Sequence, residues 1–309
     1  MVRVIDIPDA LIATQSKYNG AAGRAFVAAL PGTAEGFLER WGLRLDGDAA
    51  YGVCALVLPV VREADGLPAA LKLQAVDAET VGEPVALRMW GAAAAGAVGL
   101  LEHDAATGTM LLERLDGGRP LSGVADAREA VRVVAELLAG LTAVRVPEGA
   151  GLRGLGEAAD RMVASAPEVA GLLADAEERR LVADCAAAVR EVAGEPGDRL
   201  LHWDLHFGNV LAGFGGGAGD ADRWVAIDPK PLAGDAGFEL FPALADRFDA
   251  ADAVWRFDLM TDVLGLDRGR ARAWTLGRVL QNACWDTEEG GRRLAPVHAE
   301  LARRLLGRE

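Results

Sequence analysis

Apolar residues follow two rhythms along this chain, and the change between them divides it. Between residues 51 and 115 they come in short, nearly continuous runs. YGVCALVLPVV (51–61) and PAALKLQAV (68–76), either side of the turn-like Glu63-Ala64-Asp65-Gly66, predict two β-strands, and 100–103 with 109–115 predict a second short pair. A helix is expected between these pairs, from near Asp77 or Thr80 to about Gly91, with Val81, Leu87 and Trp90 as its apolar positions. Pro84 leaves the start of that helix open. After Asp116-Gly117-Gly118 the spacing lengthens to that of a helix. Val131, Val134, Leu137, Leu138 and Leu141 predict one over 127–144, and a second block runs from about 177 to 193 and stops at Gly194-Glu195-Pro196-Gly197. Short strands return at 199–202, 209–212 and 224–227, and from Asp267, a suitable N-cap, the pattern is helical again. The outline is α+β: a strand-rich lobe over 1–113, a larger, mainly helical lobe over 114–309, and a hinge at about 110–118.

Composition narrows the function. The 309 residues include 46 acidic and 32 basic ones, a formal net charge of -14, which argues against nucleic acid or an anionic membrane surface as partner. The three cysteines, Cys54, Cys185 and Cys284, lie far apart and suggest neither a disulfide framework nor a zinc pattern, so a reducing cytoplasm is expected. Asp6 and Pro8 interrupt the N-terminal stretch where a signal peptide would be apolar, and the longest run of small apolar residues, 91–101, is about half of what spans a bilayer. A soluble monomer is expected. Only three of the 32 basic residues are lysine: Lys17, Lys72 and Lys230.

The chemistry concentrates in LLHWDLHFGNVL (200–211) and WVAIDPKP (224–231). Asp204 is followed five residues later by Asn209, and Asp228 ends an apolar strand. Phosphoryl transfer needs a carboxylate to orient and deprotonate an attacking hydroxyl, and oxygen ligands for the Mg²⁺ that neutralises the phosphates; Asp204 suits the first role, Asn209 and Asp228 the second. The protein-kinase catalytic loop has the same Asp-to-Asn spacing. Each piece alone has a plainer explanation: an Asp after a strand usually caps a turn, and His202 reads as a packed loop histidine. The glycine-rich 213–219 lacks GK[ST] and reads as a hairpin loop. Lys72 adds weight, because an ammonium within a β-run is costly unless paired or led to solvent at an edge. Glu83, eleven residues on, is the first choice of partner and Glu79 the second.

These residues resemble the aminoglycoside phosphotransferase group, which has a protein-kinase-like fold, and within it the streptomycin 6-phosphotransferase and hydroxyurea phosphotransferase branch. ALKLQ (70–74), MLLERLDG (110–117), GLRGLGE (151–157), HWDLHFGNVLA (202–212), IDPKPLAGDAGFEL (227–240) and LDRGRARAWTLGRVLQNACWD (266–286) carry the likeness, which spans roughly residues 10 to 300. It implies a catalytic role for Asp204, Mg²⁺ on Asn209 and Asp228, and ATP phosphates on Lys72, held by Glu83. It also implies adenine contacts from the backbone at Glu113 to Leu115. The loop of Gly47 to Gly52 would cover the triphosphate, although GDAAYG departs from the G-x-G-x-x-G of protein kinases.

The acceptor should then bind on the helical lobe. Asn282, Asp286 and Glu289 stand at i, i+4, i+7 with Trp285 and Glu288 beside them, a polar, acidic face if the helix continues that far. Carboxylates and an aromatic face suit a cationic small molecule such as streptomycin; the plainer alternative is a solvated helix end. Asp235 and Glu239 are expected to cap the next helix and hold the catalytic loop. The expected activity is ATP-dependent phosphorylation of streptomycin at position 6, which inactivates the antibiotic. Alternatives are hydroxyurea, another aminoglycoside or a metabolite alcohol as acceptor, or a catalytically silent binding module.

Overall fold

Leucine- and valine-rich strands of the first third pair into one antiparallel sheet, and a long helix covers its apolar face. The computed structural model describes residues 5–52, 54–215 and 223–308. Helix α1 (Asp9–Arg40) comes first. It turns a corner at Gly20, whose φ of +53° and ψ of −124° suit glycine, and lays Leu11, Leu30, Ala34 and Phe37 against Leu56, Leu58, Leu71 and Leu73 of the sheet. Strands β1 (Leu43–Leu45), β2 (Ala50–Tyr51), β3 (Ala55–Arg62) and β4 (Pro68–Gln74) follow; then come α2 (Glu83–Ala93), β5 (Leu100–Asp104) and β6 (Thr109–Glu113). The sheet order is β1-β3-β4-β6-β5, with β2 on β3. Lys72 therefore sits on a central strand, opposite Val57 on one side and Met110 on the other, with no sheet edge to escape to.

Helix α2 begins later than the sequence pattern suggests. Asp77 and Thr80, the expected starting points, instead form a side-chain-capped turn, with Asp77 Oδ1 accepting from the Glu79 and Thr80 backbone N–H groups at 2.8 and 2.9 Å. The helix starts at Glu83 with Pro84 in its first turn, where the missing N–H costs nothing.

The second part of the chain contributes β7 (Leu115–Pro120), α3 (Ala127–Leu141), β8 (Arg153–Gly154), α4 (Leu155–Leu172), α5 (Ala176–Val192) and β9 (Arg199–Leu201). After these come β10 (Val210–Gly213), β11 (Trp224–Ala226), β12 (Leu232–Gly234), α6 (Phe241–Ala245), α7 (Ala253–Leu264), α8 (Arg268–Glu288) and α9 (Pro296–Leu306). Two small sheets, β11-β10-β7 and β8-β12-β9, present the loops that carry Asp204 and Asp228. The expected pairing of β10 with β11 is antiparallel, as in a hairpin, but residues 216–222 of the glycine-rich connection lie outside the described residues. Asp126, Asp175 and Asp267 cap α3, α5 and α8 through their side chains.

Helix α2 packs on both the first sheet and the helices that follow: its cluster also holds Met110 and Leu112 of β6. Trp90 and Leu87 are buried in the same cluster as Leu138 and Leu141 of α3, and Trp90 Nε1 donates to the Leu141 carbonyl at 3.1 Å. Gly82 lets the start of α2 press on the other lobe: a Cβ there would lie 2.8 Å from Leu152 Cδ2 and 3.2 Å from Pro231 Cγ. Among the described residues no helix is long and apolar enough to cross a membrane.

Candidate active site

Three segments converge on the cleft. From the sheet, Lys72 Nζ bonds both carboxylate oxygens of Glu83, at 2.7 and 2.9 Å, and Asp228 Oδ1 at 2.6 Å. Glu83, not Glu79, is thus the partner, and Gln74 Nε2 supplies it a further bond of 2.7 Å. Burial works against the Lys72 ammonium, but Glu83 and Asp228 outweigh it and hold its pKa above the ordinary lysine value. Lys72 in turn holds the Asp228 carboxyl below its usual range.

Asp204 and Asn209 come from the β9–β10 connection. Asn209 Nδ2 donates to the Asp204 carbonyl at 2.9 Å, and the Ile227 N–H donates to the Asn209 carbonyl at 2.9 Å, which sets Asn209 next to Asp228. Asp204 Oδ2 accepts from Lys230 Nζ at 3.1 Å, with both side chains about one-third exposed. The site is therefore built around three carboxylates, Glu83, Asp204 and Asp228, and two ammonium groups, Lys72 and Lys230.

The catalytic-loop backbone is held in a strained shape. Trp203 (φ +71°) and Asp228 (φ +57°) are non-glycine residues in the left-handed region, at a cost of about 1–3 kcal/mol each. What holds Trp203 is visible. Its N–H donates to Glu239 Oε1 at 2.8 Å and its indole Nε1 to Gln281 Oε1 at 3.2 Å. Guanidinium groups of Arg153 and Arg278 lie 4.6 and 5.3 Å from its ring, and Trp285 meets it edge-on at 5.9 Å. His202 is fully buried, with Nε2 3.0 Å from the Ile227 carbonyl oxygen, and burial pushes its pKa down to about 4, so it is a neutral structural residue.

Glu239 lies beneath this loop with no exposure, and burial raises its pKa to about 7 against the N–H of Trp203 and the charge of Arg278. Unfolded, the same carboxyl titrates near 4.5. Between these values the folded protein binds more protons here than the unfolded chain, so this contribution to stability falls as pH rises through the window. A difference of this size is worth about 3 kcal/mol at most. Glu239→Gln, which keeps the acceptor for Trp203 N–H, is expected to flatten the pH dependence of stability between about 4.5 and 7. Urea titrations across that range check it; an unchanged slope would assign the titration to another group.

The oxygen donors fit a hard divalent cation. Asn209 commits its amide nitrogen to Asp204 and keeps its oxygen available, while Asp228 uses Oδ1 for Lys72 and has a partly exposed carboxylate. Among the described residues no cluster of three His, Cys, Asp or Glu side chains forms an all-protein metal cage. Two oxygen ligands completed by substrate phosphates are the usual arrangement for Mg²⁺.

The remaining sequence-derived residues are less uniformly placed. Gly52 lies in the β2–β3 turn, its N–H bonded to the Ala55 carbonyl at 3.0 Å, and Cys54 just beyond is close enough to Lys230 and Asp228 to feel their charge. Glu113 ends β6; its carboxylate accepts from Gly99 N–H at 3.1 Å and pairs with Arg223, while Leu115 opposite Gly213 is buried. On α8, Trp285 is exposed beside the catalytic loop, whereas Asp286 is turned to His298 of α9, 4.0 Å away. Asn282 Nδ2 donates back to the Arg278 carbonyl at 2.7 Å. Glu288 ends α8 and Glu289 caps it, both exposed, and Glu289 interacts electrostatically with Lys17 of α1. Asn282, Asp286 and Glu289 therefore do not form one uniform open face. Arg153, Arg278 and Gln281 escaped the sequence reading, because each acts through a tertiary contact with Trp203. A surface cavity of about 690 Å³ lined by Glu178, Arg293, Glu300 and Arg303 shares no residue with this cluster.

Fold and cleft together define a kinase-like phosphotransferase. Residues 40–290 match the family described as aminoglycoside/hydroxyurea antibiotic resistance kinase, and the chain belongs to that family; it is an O-phosphotransferase of the aminoglycoside phosphotransferase type. It is 62% identical to a hydroxyurea phosphotransferase of Kitasatospora aureofaciens over 99% of this chain and 87% of that one. It is 49% identical to a streptomycin 6-kinase of Streptomyces glaucescens over 99% of this chain and 98% of that one. Its fold matches, at a TM-score of 0.60 and 14% identity, a thermostable mutant of an aminoglycoside phosphotransferase in ternary complex with AMP-PNP and hygromycin B, over 89% of this chain and 97% of that one.

Proposed function

We propose that this enzyme transfers the γ-phosphate of ATP to a hydroxyl of streptomycin, at position 6, acting as a monomer in the cytoplasm and conferring resistance. The observation that carries the reading is the position of Asp204: its carboxylate meets the cleft on a loop clamped through Trp203, and Trp203 touches the exposed Trp285 of α8. An indole next to the reacting carboxylate, with Glu288 and Glu289 at the helix end beyond, suits an acceptor that carries guanidinium groups.

In this mechanism Asp204 accepts a hydrogen bond from the acceptor hydroxyl and takes its proton as that oxygen bonds to the γ-phosphorus, while the bond to the β–γ bridging oxygen breaks and ADP leaves. Lys72, fixed by Glu83, binds the α- and β-phosphates, the backbone around Glu113 to Leu115 binds adenine, and the turn containing Gly52 covers the triphosphate. Asn209 and Asp228 would hold magnesium, which when bound neutralises charge on the phosphates. Positioning and electrostatics account for the chemistry, with no covalent enzyme intermediate.

A second reading, hydroxyurea as acceptor, is favoured by the 62% identity to a protein of that name. ATP consumption with each compound, with mass spectrometry of the products, separates the two. Phosphorylated streptomycin is the expected result; turnover of hydroxyurea alone would replace the first reading, and turnover of neither would defeat both. If streptomycin is the acceptor, Trp285→Ala should raise its KM about 10-fold, the scale of a desolvated cation–π contact, with little change in kcat.

A further inference from the structure

Lys230 has no role in the reading above, yet its ammonium occupies the catalytic carboxylate. The residue stands two positions after Asp228, its backbone N–H donates to the His202 carbonyl at 3.0 Å, and its Nζ lies 3.1 Å from Asp204 Oδ2. It is thereby anchored to both the metal-site loop and the catalytic loop. The two ammonium groups of the site differ in commitment. Lys72 is buried and shared between Glu83 and Asp228, whereas Lys230 is one-third exposed and, among the described residues, ion-pairs with Asp204 alone. Lys230 holds one of the two carboxylate oxygens of Asp204, so its ammonium lies where an acceptor hydroxyl would meet that carboxylate. A phosphoryl group in transit has to lie between Asp228, on the phosphate side, and Asp204, on the hydroxyl side. This is the interval that Lys230 spans.

We propose that Lys230 is a further catalytic residue, which passes from Asp204 to the γ-phosphoryl group of the bound nucleotide and stabilises its charge during transfer. The inference rests on the phosphotransfer reading but not on the identity of the acceptor. The step is an exchange of ion-pair partners. The ammonium leaves Asp204 Oδ2 for a phosphoryl oxygen, Asp204 becomes free to accept the hydroxyl proton, and no proton leaves Lys230. Lys72 is committed to two carboxylates, so the ammonium at the reacting end that can turn to the phosphoryl charge is Lys230.

The test uses binding as well as turnover. In the presence of Mg²⁺, Lys230→Met should bind AMP-PNP about 10–100-fold more weakly, the scale of one charge-assisted contact, while ADP, which lacks the γ-group, stays within about 3-fold. Its kcat should fall about 10²-fold, and acceptor-free ATP hydrolysis should fall with it. Lys230→Arg should retain the preference for AMP-PNP over ADP. Equal weakening of both nucleotides, or of neither, overturns the proposal. Hydrolysis at the wild-type rate with transfer alone impaired overturns it too, because Lys230 would then act through Asp204 and not on the phosphoryl group. If the methionine variant does not fold, Lys230→Gln carries the same measurements. A wild-type enzyme that phosphorylates neither streptomycin nor hydroxyurea, with the γ-selective loss still observed, would remove the acceptor assignment and support the role of Lys230.

Discussion

Asp204→Ala is expected to leave ATP affinity within a few-fold of wild type and to lower kcat by about 10²–10⁴-fold, the range for loss of a positioned general base. The separation of effects follows from the geometry. Asp204 reaches the cleft from the β9–β10 loop and has Lys230 as its side-chain ion-pair partner, whereas of the groups proposed for the nucleotide and its metal only Asn209 shares that loop. The backbone carbonyl of Asp204, which receives Asn209 Nδ2, survives the substitution, so the loop keeps that support. Calorimetric titration with ATP alongside single-turnover kinetics checks both halves. Turnover within tenfold of wild type would remove Asp204 from its role, and a parallel collapse of ATP binding would show a disrupted loop.

Asp228→Asn is expected to act on the nucleotide side. Replacing the carboxylate removes the only formal charge among the two proposed metal ligands and one of the two partners of Lys72. Loss of metal-ion stabilisation worth several kcal/mol corresponds to a fall in kcat/KM of roughly 10³-fold or more. The distinguishing sign is the dependence of ATP affinity on Mg²⁺: marked in the wild type, nearly absent in the variant. Titrations with and without Mg²⁺ measure it. A variant that keeps the full Mg²⁺ dependence would show that the ion is held elsewhere. Lys72 remains tied to Glu83 and Gln74 remains on that carboxylate, so the sheet should fold as before.

The residues proposed for catalysis are the most legible part of the sequence because local spacing groups them. Asp204 and Asn209 share one loop, Asp228 ends one strand, and the scarcity of lysine made Lys72 conspicuous. The Lys72–Glu83 pair was readable for a similar reason: a strand and the following helix bring neighbours in sequence together. Helix α1 is not legible in the pattern. Gly20, Gly23, Pro31, Gly32 and Gly36 interrupt its apolar rhythm, and it is stabilised by packing on a sheet formed later in the chain. Helix α4, with Pro167 inside it, was missed likewise. Trp203 illustrates the opposite limit. Its positive φ and its clamp depend on Arg153, Glu239 and Arg278, from three separate segments, which no local pattern can join. At the acidic end of α8 the sequence does not reveal that Asp286 faces α9, with His298 Nδ1 4.0 Å away.

Trp90 has a mechanical consequence. Trp90 ties α2 to α3 while Leu87 shares its cluster with Met110 and Leu112 of the sheet, so Glu83 is held from both sides. Lys72, on the sheet, also reaches across to Asp228 on the β11–β12 loop, and that ion pair is a latch across the cleft. Prising the lobes apart would take from a buried ammonium one of its two carboxylates. Small rocking of the sheet about the segment after β6 can admit a nucleotide with the latch closed, whereas wide gaping cannot. Substrate entry is thus expected to depend on small movements that keep Lys72 paired more than on rigid-body separation of the lobes.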